Sequence, residues 1–216
     1  MTDRKHIDPT IYTTRPTDER LEKENRVYDL LEELSIPFVR IDHDAMNTID
    51  ECQDVDKFLG VEICKNLFLC NSQKTKFYLL MMPGHKKFVT RDFCKQINSS
   101  RLSFAPPEYM EAYLDLTPGS ASILGLMNDH EHHVQLVMDQ EVVDQPLIGC
   151  HPCINTSSLT LATNDVLNKF LPYTNHTFFT SISKYIVYAH CIILMYMSKD
   201  CRYDEPSASS YGQSFL

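Results

Sequence analysis

The chain has 216 residues and a mass of 25.0 kDa, with 43% hydrophobic residues, 23% charged residues and a formal net charge of −9. These values exclude a disordered or fibrous chain, and the length suits one domain with appendages. The first thirty residues are densely charged without an apolar run, and the longest apolar run, Tyr185 to Met197, is too short for a bilayer core of roughly 30 Å.

A secreted or integral membrane protein is therefore not expected, and the eight cysteines read as reduced cytoplasmic thiols rather than a disulfide framework. The acidity is uneven. Residues 61–101 carry Lys65, Lys74, Lys76, Lys86, Lys87, Arg91, Lys95 and Arg101 against only Glu62 and Asp92. A basic segment in an acidic chain suits a local phosphate contact, although a solvated helix face would give the same count.

In chain order, the polar residues 1–20, with Pro9 and Pro16, predict a loose N-terminal arm. Val27, Leu30, Leu31 and Leu34 share one face of a helix that Pro37 ends, and Phe38–Ile41 reads as a short strand. Thr48 and Glu51 form a capping box for a helix through Cys52, Val55 and Leu59, which Gly60 stops. Leu67–Cys70 and Phe77–Met82, separated by a polar hexapeptide, predict a hairpin. Short helices follow from Thr90 and from Pro107 to Leu114, then a turn at Pro118-Gly119-Ser120. Strands are expected at Val134–Met138, Pro146–Cys150 and Thr156–Leu161, and a helix at Asp165–Phe170. Strands and helices alternate without a βαβ rhythm, which indicates an α+β fold. The core domain is drawn from 21 to 179, with 180–216 as an accessory tail.

The common catalytic signatures are weak or missing. Cys150-His151-Pro152-Cys153 is a C-x-x-C, but no second ligand pair follows for zinc, and it lies between strands rather than before a helix. His130-Glu131-His132-His133 lacks zincin spacing, and Gly119-Ser120-Ala121-Ser122-Ile123 is not a nucleophile elbow. What remains is a set of polar residues at strand ends and turns: Lys65-Asn66, Gly119-Ser120 and Gly149 to Asn155.

In their order these motifs carry a resemblance. Cys64-Lys65-Asn66-Leu67-Phe68-Leu69, Thr117-Pro118-Gly119-Ser120-Ala121-Ser122, Leu124-Gly125-Leu126-Met127-Asn128-Asp129, and His151-Pro152 with Asn155-Thr156 resemble the free-standing prolyl-tRNA synthetase-associated editing domains. Among these the similarity is greatest to trans-editing Ala-tRNA(Pro) deacylases. The resemblance implies a strongly curved, barrel-like mixed sheet flanked by helices, and hydrolysis of the ester joining alanine to tRNA(Pro) in the cytoplasm. It implies Lys65, Gly149 and His151 as catalytic residues, and Asn66, Gly119, Ser120 and Asn155 as substrate-binding residues. Lys86 and Lys87 are expected to contact the acceptor end of a mischarged tRNA. Prolyl-tRNA synthetase is a further expected partner, while DNA, membrane, metal and organic cofactor are not. Ile123 stands where the family commonly has proline, and the tail has no family counterpart. Two alternatives stay open: the same chemistry on another mischarged tRNA such as Cys-tRNA(Pro), or a non-catalytic tRNA- or synthetase-binding module.

Overall fold

The apolar face of Val27, Leu30 and Leu31 becomes one side of helix α1 (Glu22–Glu33), and each of these side chains is buried. In this computed structural model, which describes residues 5–46, 49–181 and 186–188, the elements that follow are β1 (Phe38–Asp42), α2 (Ile49–Leu59), β2 (Lys65–Asn71), β3 (Phe77–Met82), α3 (Thr90–Gln96), β4 (Leu102–Phe104) and α4 (Pro107–Leu114). A 3₁₀ helix (Ile123–Asn128) then leads to β5 (Val134–Asp139), α5 (Gln140–Asp144), β6 (Leu147–Cys150) and β7 (Ser157–Ala162). After α6 (Thr163–Asp165), a π turn (Val166–Phe170) and α7 (Leu171–Tyr173), the chain ends its described part with β8 (Phe178–Ser181) and β9 (Ile186–Tyr188). The capping box at Thr48 and Glu51, and all of the Tyr185–Met197 run except β9, lie outside the described residues.

The strands form two sheets, ordered β1-β7-β6 and β4-β2-β3-β5-β8-β9. The larger sheet is mixed: β3, β5 and β8 run parallel, and the other pairs are antiparallel. Every residue of β3 is buried, which explains why Phe77–Met82 is apolar throughout instead of alternating. One face, with Phe68, Leu79, Met81, Leu136 and Met138, packs in the main core with α1 and with Ile148 and Leu159 of the smaller sheet. The other face, with Leu69, Tyr78, Leu80 and Val137, is covered by Phe93 of α3.

Two expectations need correction. The α+β class and the helix-flanked mixed sheet stand, but among the described residues the strands do not close into one barrel-like sheet. The sheets touch through the isolated parallel bridge Ile63–Gly149, with Cys64 N–H donating to Gly149 O at 3.0 Å. The outer edge of β1 cannot serve for closure, because residues of the N-terminal arm occupy it through the bridges Ile7–His43 and Tyr12–Arg40. That pairing is also why residues 7–12 of the arm are not loose: an open strand edge needs partners for its amides and carbonyls. The Arg40 guanidinium, 3% exposed, stacks on Tyr12 at 4.3 Å and pairs with Asp42.

Candidate functional site

The sheet junction brings the Lys65-Asn66 motif and the Gly149–Asn155 motif together. Gly149 lies so close to β2's approach that a Cβ there would sit 3.0 Å from Glu62 O and Ile63 Cα. Glycine makes the contact without displacing its neighbours, and the contact places Lys65, one residue past Cys64, beside the strand that delivers His151. Lys65 opens β2 half-buried, and its Nζ donates to Lys86 O at 2.9 Å, which leaves two of its three N–H groups for a ligand. The neighbouring Asn66 donates to Cys64 O at 3.2 Å, while its buried Oδ1 has no hydrogen-bond partner.

His151 is 7% exposed, and burial draws its imidazole down to about 4, so it is neutral at pH 7. Its Nδ1–H donates to Ser157 O at 2.9 Å and lies 3.3 Å from Ser158 Oγ, which leaves Nε2 as the acceptor nitrogen. Ser158 Oγ in turn donates to His43 Nε2 at 2.8 Å, and His43 Nδ1–H donates to Asp44 O at 2.8 Å. Burial also lowers the pKa of His43. Both imidazoles are thus fixed in tautomer and orientation by main-chain carbonyls.

The Thr117–Ser122 loop is locked against this strand end. Ser120 Oγ, 2% exposed, donates to Thr117 O at 2.9 Å and accepts from Thr117 N–H at 3.1 Å, so its hydroxyl holds the turn. Ser122 Oγ donates to His151 O at 2.6 Å and accepts from Leu124 N–H, capping the 3₁₀ helix and tying it to the histidine. Gly119 adopts φ +92°, and a Cβ there would stand 3.1 Å from Asn155 Nδ2. Asn155 spends its amide on the backbone of Met46, accepting from Met46 N–H at 3.2 Å and donating to Met46 O at 2.6 Å. Ile123 is fully buried in the main core, filling the position by packing.

Lys86 and Lys87 part company. Burial opposes the charge of Lys86, yet its bonds to both Asp139 oxygens at 2.8 Å, with Glu141 at 3.5 Å, hold its pKa above the usual lysine range. Lys87 is exposed. The three thiols beside the strand junction are poor nucleophiles: burial pushes Cys64 and Cys153 up to about 12 and raises Cys150 as well.

Comparison with known proteins decides what this arrangement belongs to. Residues 43–169 match the aminoacyl-tRNA editing domain family. The chain belongs to that family. It is accordingly an aminoacyl-tRNA deacylase, a hydrolase of the ester between amino acid and tRNA. The chain is 32% identical over 148 residues to the prolyl-tRNA editing protein ProX of Acetoanaerobium sticklandii, covering 68% of this chain and 90% of that one. It is 29% identical over 150 residues to the prolyl-tRNA synthetase associated domain-containing protein 1 of Xenopus laevis, covering 68% and 88%. Among solved structures, the hypothetical protein APE2540 superposes with a TM-score of 0.55 at 13% identity, over 72% of this chain and 97% of its own. A candidate trans-editing enzyme for prolyl tRNA synthetase superposes at 0.53 and 14% identity, over 74% and 96%. At such identities these superpositions speak to the fold alone. No helix among the described residues is long and apolar enough to cross a membrane.

Sequence reasoning named Lys65, Asn66, Gly119, Ser120, Gly149, His151 and Asn155, but not the residues that hold them. Ser122 lay inside a quoted motif without a role, and His43, Ser158 and Asp139 carried no local signal at all.

Proposed function

We propose that this chain is a trans-editing hydrolase that removes alanine from mischarged Ala-tRNA(Pro). The observation that carries the reading is the hydrogen bonding that fixes the Thr117–Ser122 loop beside His151. Ser120 and Ser122 lock the Thr117–Ser122 loop to itself and to His151, and Asn155 locks the facing loop to Met46. A loop held in this way can sort amino acids by size, which is what a second sieve requires when the synthetase separates alanine from proline by only about 1–3 kcal/mol per methylene. The name of the relative ProX points to the same tRNA.

Each residue then has a job. Lys65 offers its two free N–H groups as a point charge to the terminal phosphate or ribose of the acceptor end. Gly149 holds the approach to Lys65 against the end of β6 that leads to His151, so that main-chain groups beside it orient the ester. Neutral His151 accepts a hydrogen bond through Nε2, while Asn66 Oδ1, Gly119 and Asn155 line the amino-acid side. An activated ester needs no covalent nucleophile: a placed water or the ribose hydroxyl attacks, and oriented donors stabilise the developing oxyanion. Release of amino acid from Ala-tRNA(Pro), Cys-tRNA(Pro) and Ala-tRNA(Ala) tests the reading. Fast turnover of the first alone supports it, and preference for Cys-tRNA(Pro), or binding without turnover, overturns it.

A further inference from the structure

The larger sheet carries an exposed aromatic feature that the editing site does not use. Phe104, the last residue of β4, is 66% exposed. Its ring lies 6.5 Å from that of Phe88, and Phe88 is backed by the buried Phe93 ring at 5.8 Å in an edge-on contact. The pair is therefore an aromatic step whose inner member is backed by the core and whose outer member is open to solvent.

Two further observations say what fits it. The first is charge. Beside the step, Arg91, Lys95 and Arg101 line a groove of about 750 Å³, and Lys87 immediately precedes Phe88. Among the described residues Lys87, Lys95 and Arg101 make no ion pair, and Arg91 meets only its neighbour Asp92 at 3.5 Å. A chain of net charge −9 thus presents uncompensated cations around exposed aromatics. The second is register. Phe104 pairs with Leu69 of β2, and Leu69, Leu67 and Lys65 alternate onto one sheet face. Phe104 and Lys65 are therefore on the same face, about 13 Å apart along the strand at roughly 3.3 Å per residue.

We propose that Phe104, backed by Phe88, is a stacking platform for an unpaired nucleotide of the tRNA 3′ end, whose phosphates lie on Arg101 and Lys87. Because α3 covers the β2 face between them, a single strand that reaches Lys65 from this platform follows residues 86–88, where Lys86 O holds Lys65 and the Phe88 ring backs Phe104. Aromatic faces accept any base, and flanking cations track the backbone, which is how single strands are held without sequence readout. The identity of the nucleic acid rests on the editing function proposed for the chain, whereas the platform itself can be tested without any ester.

The chain contains no tryptophan, so Phe104→Trp introduces a single fluorescent reporter that preserves stacking. Its emission is expected to be quenched on titration with a single-stranded oligoribonucleotide of the tRNA 3′-end sequence. Phe104→Ala is expected to weaken binding of that oligonucleotide and of uncharged tRNA(Pro) by about five- to 150-fold, the range for removing one stacked base. Phe104→Leu should not restore it, and the thermal midpoints of all three variants should match wild type. Alanyl-adenosine, which lacks the upstream nucleotides, should be hydrolysed equally by wild type and Phe104→Ala. Unchanged affinity in Phe104→Ala, full rescue by leucine, or absence of quenching overturns the platform. Failed deacylation with these binding effects intact would instead strike the editing reading alone.

Discussion

Replacing Gly149 by alanine probes the close approach on which the site's geometry depends. The new Cβ would meet Glu62 O at 3.0 Å, Ile63 Cα at 3.0 Å and Ile63 N at 3.2 Å, all of them main-chain atoms that no side-chain rotation can move. Ordinary contact begins near 3.4 Å, so the two sheets must separate by a few tenths of an ångström at the bridge where Cys64 N–H reaches Gly149 O. Overpacking of this kind costs about 1–3 kcal/mol. For a chain of this size that corresponds to a fall in melting temperature of about 2–12 °C. The same shift moves Lys65 relative to His151 by a few tenths of an ångström, short of the ~1 Å misplacement that costs on the order of 100-fold, so a rate loss below that is expected. Thermal unfolding and single-turnover deacylation of Gly149→Ala read both effects. A variant with the wild-type melting temperature and rate would refute the close approach and the geometry built on it.

Lys65→Ala removes a charge-assisted interaction of about 1.5–3 kcal/mol and should slow single-turnover deacylation by roughly 10- to 150-fold, with arginine a poor substitute. Its effect on unfolding should stay near ~1 kcal/mol, since within the protein Lys65 Nζ is held by its bond to Lys86 O. His151, held near 4 by burial against 6.5 when unfolded, makes the unfolded chain bind more protons between those values. That stability is complete above about pH 6.5 and disappears as the pH falls towards 4, by up to about 3 kcal/mol, so His151→Gln should flatten the denaturation midpoint across this window. A midpoint curve as steep in His151→Gln as in wild type would assign the acid sensitivity elsewhere. Lys87→Glu should weaken tRNA binding and flatten its salt slope by about 0.7 for each phosphate that is no longer neutralised, whereas Lys86→Gln, by freeing Asp139, should lower the melting temperature and leave the slope unchanged. Equal slopes for the two variants would contradict the separation of their roles.

Periodic elements were legible because their signal is local. The face of α1, the hairpin of β2 and β3 and the strands β5 to β7 each follow from residues within a few positions of one another. The three-residue β4 is too short to leave a pattern, and the apolar residues of β3 say that both faces are covered without saying by what. What holds the site is long-range. Asn155 and Met46 are 109 residues apart, and His43 and Ser158 are 115 apart, so no window along the chain contains either pair. The motif at Lys65-Asn66 marked the site through its resemblance, but the carbonyl of Lys86 that restrains Lys65 and the carboxylate of Asp139 that occupies Lys86 emerge only from the packing of β3, β5 and the loop after β3.

The most direct test of the account is the ratio of single-turnover deacylation rates on Ala-tRNA(Pro) and Pro-tRNA(Pro), measured side by side for wild type and Lys65→Ala. The account predicts rapid release of alanine, little release of proline, and a collapse of the alanine rate in the folded lysine variant. Equal release of both amino acids, or a Lys65→Ala enzyme as fast as wild type, would contradict it.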